Sequence, residues 1–97
     1  MAKGYWIAHI NVTDPERYNS YVAEAGPAYQ AHGAKFLIRG GESEQVEGTG
    51  LGGRHVVIEF ESLERAKACY NSDTYQKAKR HREAASTGHI LIVEGVA

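Results

Sequence analysis

Phe36-Leu37-Ile38-Arg39-Gly40-Gly41-Glu42, followed after a glycine-rich gap by Arg54-His55-Val56-Val57-Ile58-Glu59-Phe60, is the stretch whose reading decides the fold. Both runs alternate apolar and polar residues at the two-residue period of a pleated strand, so they read as the two arms of a hairpin. Alternation puts Phe36 and Ile38 on one face of the first arm, and Lys35, Leu37 and Arg39 on the other. In the second arm Val56, Ile58 and Phe60 share a face, opposite His55, Val57 and Glu59. Gly40-Gly41 interrupts the pleat and marks a bend or bulge, with Glu42 to Val46 expected to carry the strand onward. Gly48, Gly50, Gly52 and Gly53 then supply the turn.

Upstream, Tyr5-Trp-Ile-Ala-His-Ile-Asn-Val12 is a third alternating run, with Trp6, Ala8, Ile10 and Val12 on one face and Tyr5, Ile7, His9 and Asn11 on the other. Asp14 before Pro15 suits a helix N-cap, because a residue preceding proline avoids helical angles and proline favours the first helical position. Tyr18, Tyr21, Val22, Ala25 and Tyr29 follow at helical spacing; Gly26-Pro27 predicts a kink and Gly33 a left-handed stop. Downstream, Ser62 caps a helix carrying Leu63, Ala66, Cys69 and Tyr70. Ser72 caps another carrying Tyr75, Ala78, Arg82 and Ala85, and His89 to Glu94 forms the last strand.

The order is β-α-β-β-α-β, with the second helical segment broken near Asn71-Ser72. Right-handed crossovers fold this order into an α+β domain of ferredoxin-like type, a four-stranded antiparallel sheet with helices on one face. The helices cover one side of the sheet only. The other side still presents Ile7, Leu37, Val57, Leu91 and Val93, an apolar surface that a second copy of the chain would cover.

With 97 residues the chain reads as one domain,. A domain this small buries only about 60 to 70% of its unfolded surface, which adds to the expectation of a homodimer. Eleven basic and twelve acidic residues leave a net charge of −1, which provides no field to attract nucleic acid or an anionic membrane,. The longest aliphatic runs, Val56–Ile58 and Ile90–Val93, fall far short of the ~20 residues that span a bilayer. A single cysteine, Cys69, fits a soluble protein of the reducing cytoplasm,.

Gly4-Tyr-Trp-Ile7, Thr13-Asp-Pro-Glu16 with Tyr18 and Tyr21, Phe36–Gly41, Glu47-Gly48, Arg54–Phe60, Tyr70, Tyr75-Gln76 and Glu94-Gly95 together resemble a family of unknown function, DUF1330. The resemblance covers nearly the whole chain, departing at Asn71-Ser-Asp-Thr-Tyr75, where the family pattern carries Ser-Pro-Glu-Tyr. It implies membership of the dimeric α+β-barrel superfamily, in which two ferredoxin-like sheets pack face to face. It implies a homodimer with a cavity between sheet and helices, and no reaction.

His9, Arg39, His55 and Glu59 share the side predicted to face away from the helices. A cleft there would hold a general base in His9 or His55, a cation for a carboxylate or carbonyl oxygen in Arg39, and a carboxylate in Glu59. The same residues also read structurally, with Arg39 and Glu59 as an ion pair at a subunit boundary and His9 as a hydrogen-bonded strand histidine. Tyr18 and Tyr75, among five of the six tyrosines placed on helices, could line a pocket and orient a substrate, or simply pack against the sheet,. Arg82, on a helix face otherwise apolar, is a candidate for anion binding or for capping nearby carbonyls.

Other chemistries find less support. The basic cluster Lys77 to Arg82 lies late in a helix, where cations complement the macrodipole, and lacks interleaved aromatics for base stacking. His32, His55, His81 and His89 show no metal-ligand spacing, so no metal is expected. The glycine pairs precede no helix and cannot cradle a phosphate or dinucleotide. The expectation is a cytoplasmic homodimer that binds a small organic molecule between sheet and helices. It would act, if at all, as an isomerase or monooxygenase without a cofactor. A non-catalytic binding or assembly module is the alternative.

Overall fold

The computed structural model describes residues 2–97. Its elements run β1 (Gly4–Val12), α1 (Pro15–Ala31), β2 (Lys35–Arg39), β3 (Arg54–Phe60), α2 (Leu63–Asn71), α3 (Asp73–Ala85) and β4 (Ser86–Glu94). The strands form one antiparallel sheet in the order β2-β3-β1-β4. This is the ferredoxin-like α+β arrangement, with the second helical segment divided into α2 and α3. Along its shortest axis the molecule measures 17 Å, the thickness of one sheet and one layer of helices.

Local chemistry sets the helix boundaries. The Asp14 carboxylate accepts from the Arg17 backbone N–H with Pro15 at the first helical position, and Gly33 stops α1 with φ at 68°,. The helix passes through Gly26-Pro27 without ending, and Pro27 lies on its exposed side. Ser62 caps α2 through the Arg65 N–H. Ser72 caps α3 through the Tyr75 N–H while its hydroxyl donates to the Cys69 carbonyl, so one serine closes α2 and opens α3.

The core lies between the sheet and the helices. Trp6, Ala8 and Ile10 from β1 and Val56, Ile58 and Phe60 from β3 meet Tyr18, Tyr21, Ala25 and Ala28 of α1, Ala66 and Cys69 of α2, and Tyr75, Ala78 and Ala85 of α3. Trp6 is the hub: its ring packs against Tyr29, Phe60, Tyr70 and Tyr75 at centroid distances of 4.9 to 5.7 Å. Its indole N–H donates to the Ala66 carbonyl at 2.8 Å, tying the central strand to α2. The other sheet face has no layer over it among the described residues, and Leu91 is 51% exposed and Ile38 49%.

The hairpin departs from the sequence expectation in three respects. The irregularity falls inside β2, between Phe36 and Ile38, instead of at Gly40-Gly41. Phe36 pairs with Ile58, but Ile38 pairs with Val57 and Arg39 with Val56, so Leu37 is the extra residue of a bulge,. A one-residue insertion exchanges the faces of everything beyond it. Ile38 therefore lies on the open face and Arg39 on the helix side, the reverse of strict alternation. Residues 42–46 do not extend β2, and 41–53 form a loop without strand. At the other end of the chain β4 begins at Ser86, three residues before the expected start.

Candidate functional site

On the open face, antiparallel pairing places His9 directly opposite His55 on β3 and opposite His89 on β4. The His9 and His55 Nδ1 atoms are 2.9 Å apart, so one ring donates and the other accepts. Nearby, the Tyr5 hydroxyl donates to Glu59 Oε2 at 3.0 Å. That bond, more than the slight burial or the carboxylate's charge, raises the Tyr5 pKa above its ordinary value. Both polar pairs are satisfied within the sheet, among the side chains of Ile7, Val57 and Leu91.

The helix side is different. Beneath α1 and α3 a cavity of about 30 Å³ is lined by Trp6, Ile10, Tyr18, Tyr21, Tyr29, Phe36, Val56 and Ile58 together with Arg39, Arg54 and Arg82. That volume holds little more than water. It adjoins an open groove of about 430 Å³ between α1 and β2, which shares Tyr29, Phe36 and Arg39 with it. Arg39 thus stands at the boundary between a cationic inner chamber and an outer groove large enough for a small organic molecule.

Each guanidinium rests on an aromatic ring: Arg39 over Phe36 at 4.1 Å, Arg54 over Tyr18 at 5.5 Å and Arg82 over Tyr21 at 5.8 Å. These lie within cation–π range. No carboxylate pairs with any of the three, since the ion pair found among the described residues is His81 with Glu24, at 2.7 Å. The Nε atoms of Arg54 and Arg82 are buried with no hydrogen-bond partner. Burial alone would lower the Arg82 pKa, but the Tyr75 and Tyr21 oxygens outweigh it and hold that guanidinium charged.

Behind the cavity the Tyr21 hydroxyl bonds both Tyr75, at 2.9 Å, and Tyr29, at 3.1 Å. Desolvation pushes all three phenols well above their ordinary range, so they serve as hydrogen-bond partners and not as bases,. No histidine, carboxylate or lysine lines the chamber. Among the described residues no group of three or more His, Cys, Asp or Glu stands close enough to hold a metal ion.

The seven residues singled out from sequence therefore divide between the two faces. His9, His55 and Glu59 lie on the open face; Tyr18, Arg39 and Arg82 line the helix-side cavity; Tyr75 stands behind it, fully buried against Tyr21. Arg39 and Glu59 form no ion pair, because the Leu37 bulge puts them on opposite faces. Arg54 was missed. Its parity with Val56, Ile58 and Phe60 was the available signal, since that alternation points it toward the helices.

The sequence matches the model of one family, Domain of unknown function (DUF1330), over residues 3–96. The chain belongs to the DUF1330 family. No curated protein sequence matches it significantly. Among solved structures, this DUF1330 chain is similar to a protein of unknown function from Rhodopseudomonas palustris, with a TM-score of 0.82 and 16% identity over 99% of this chain and 84% of that one. It is also similar to SnoaB, a cofactor-independent oxygenase from Streptomyces nogalater, with a TM-score of 0.65 and 10% identity over 100% and 96%. A candidate antibiotic biosynthesis monooxygenase from Caulobacter crescentus CB15 gives 0.60 and 14% over 99% and 90%. At these identities the likeness is one of fold. Among the described residues no helix is long and apolar enough to cross a membrane.

Proposed function

We propose that this DUF1330 chain is a cytoplasmic homodimer that binds a small organic molecule in the helix-side cavity and its outer groove, and oxygenates it without a cofactor. The observation that carries the reading is the chamber itself, in which three guanidinium groups without carboxylate partners are set among aromatic rings. In an oxygenation of this kind the substrate supplies the electrons. A CH₂ group beside a phenol or enol reacts with dioxygen to give C=O and water, one oxygen atom entering the product and the other leaving as water. The substrate reacts as its phenolate or enolate, the proton being lost to water because the chamber holds no base, and Arg39, Arg54 and Arg82 supply preorganised positive charge that favours this anion,. Tyr18 and Phe36 offer flat surfaces to orient a planar ring. An isomerase is less well supported, because it needs a base to move a proton between carbons and the chamber has none.

The open face is assigned to assembly. Ile7, Ile38, Val57, Leu91 and Val93 form an apolar surface around the His9–His55 pair, and a second sheet packed face to face would bury it,. The reading is tested by incubating the protein with a panel of polycyclic phenols under ¹⁸O₂. A product enriched by one ¹⁸O atom, with the second label in water, is expected; a panel that binds and is returned unchanged overturns oxygenation while leaving the binding site standing.

A further inference from the structure

Buried polar atoms in folded proteins are nearly always hydrogen-bonded, and each exception calls for an explanation. Here two exceptions, Arg54 Nε and Arg82 Nε, occur in the same cavity, reached from β3 and α3. Both side chains carry charge that no Asp or Glu neutralises among the described residues. Neither side chain is fully buried, and Arg82 has the Tyr75 and Tyr21 oxygens beside it, but two half-enclosed guanidiniums in one cavity without a carboxylate partner suit an anion supplied from outside,. Arginine suits one shape of anion best, because its planar fork donates two parallel hydrogen bonds to a carboxylate.

The surroundings specify the rest of the ligand. The floor is Trp6, Tyr18 and Phe36, and the way in passes Arg39 from the groove bounded by Pro27, Tyr29 and Ala34. An inorganic anion would satisfy the guanidiniums and leave this apolar channel unused. We propose that the ligand is an aromatic carboxylate, its carboxylate gripped by Arg54 and Arg82 in the inner chamber and its ring lying across Phe36 in the outer groove, with Arg39 folding over the mouth. This rests on the helix-side cavity being the functional site, and it adds the chemical class of what enters.

Trp6 is the chain's one tryptophan and lines the chamber, so its fluorescence reports occupancy directly. Benzoate and 2-naphthoate are titrated against their primary amides and against inorganic phosphate. The carboxylates are expected to change Trp6 emission and bind about tenfold or more tighter than the amides, as charge-assisted bidentate bonds require. Arg54→Met, which keeps the apolar stem, should abolish that preference, and Arg82→Lys should weaken it while retaining the fold by circular dichroism. Equal binding of acid and amide overturns the carboxylate assignment and leaves small-molecule binding intact. Phosphate binding as tightly as naphthoate overturns the aromatic part. No response to any probe overturns both this assignment and the cavity as a site.

Discussion

Arg39 shows how much depends on a single position. Its residue type announces a cation for an anionic group; its expected place on the face of Glu59 did not hold, because one extra residue upstream turned it over. Tyr75 shows the converse. Its helical spacing correctly placed it inward, yet it stands behind the cavity, bonded to the Tyr21 hydroxyl, and does not line it. Tyr75→Phe removes that bond and leaves Tyr21 its partner in Tyr29, so it should destabilise the protein by about 1 kcal/mol in urea unfolding. A loss several times larger would mean that the three phenols act as a unit. Cys69 is buried, its Sγ donates to the Ala28 carbonyl, and burial pushes the thiol from an ordinary value of 9.0 up to about 12. A raised folded-state pKa contributes stability that is fully present below pH 9 and is lost as pH climbs toward 12. Native protein at neutral pH should therefore resist thiol reagents, and Cys69→Ala should shift the alkaline unfolding midpoint upward relative to neutral stability; rapid labelling without unfolding would contradict the burial.

Among the elements, those set by side-chain chemistry were legible in the sequence and those set by backbone geometry were not. Asp14-Pro15, Ser62 and Ser72 start helices where their cap residues stand, because a cap is a local hydrogen bond that the residue type announces,. The Leu37 bulge had no such marker. Gly40-Gly41 drew the expected irregularity toward itself, whereas the sheet absorbs the extra residue at Leu37, on an edge strand where bulges are common,. In the glycine-rich run before β3, Gly52 joins a positive φ to a close backbone approach. Gly52 has φ at 88°, and a Cβ there would stand 2.7 Å from the Ile10 carbonyl oxygen, a backbone atom that cannot swing aside. Gly52→Ala should lower stability by about 1 to 3 kcal/mol and weaken the β1–β3 pairing next to His55. Differential scanning calorimetry and amide exchange at Ile10 would check this, and an unchanged midpoint would show that the loop can rearrange freely.

At the scale of the molecule, element order was enough to give the ferredoxin-like sheet with helices on one side, and the apolar residues left on the other side followed from it. The family resemblance implied a cavity between sheet and helices, but the residues chosen for chemistry did not all belong to that side. His9, His55 and Glu59 drew attention to the open face because titratable groups on strands resemble catalysts, but the structure satisfies them pairwise there. The three arginines that line a cavity without a carboxylate partner lie on the helix side, where Arg54 was hidden by its neighbours' apolar character. If the open face serves assembly, Leu91→Lys should convert a dimer to a folded monomer in sedimentation velocity, because a cation would be buried against the opposing sheet. A monomeric parent protein would refute that role.

The central claim is that the functional site lies on the helix side of the sheet, and Trp6 fluorescence read in two variants tests it most directly. A ligand that alters Trp6 emission in the parent protein should do so undiminished in His9→Ala and lose its effect in Arg54→Met, with both variants folded. Loss in His9→Ala with full retention in Arg54→Met would put the site on the open face and contradict the account.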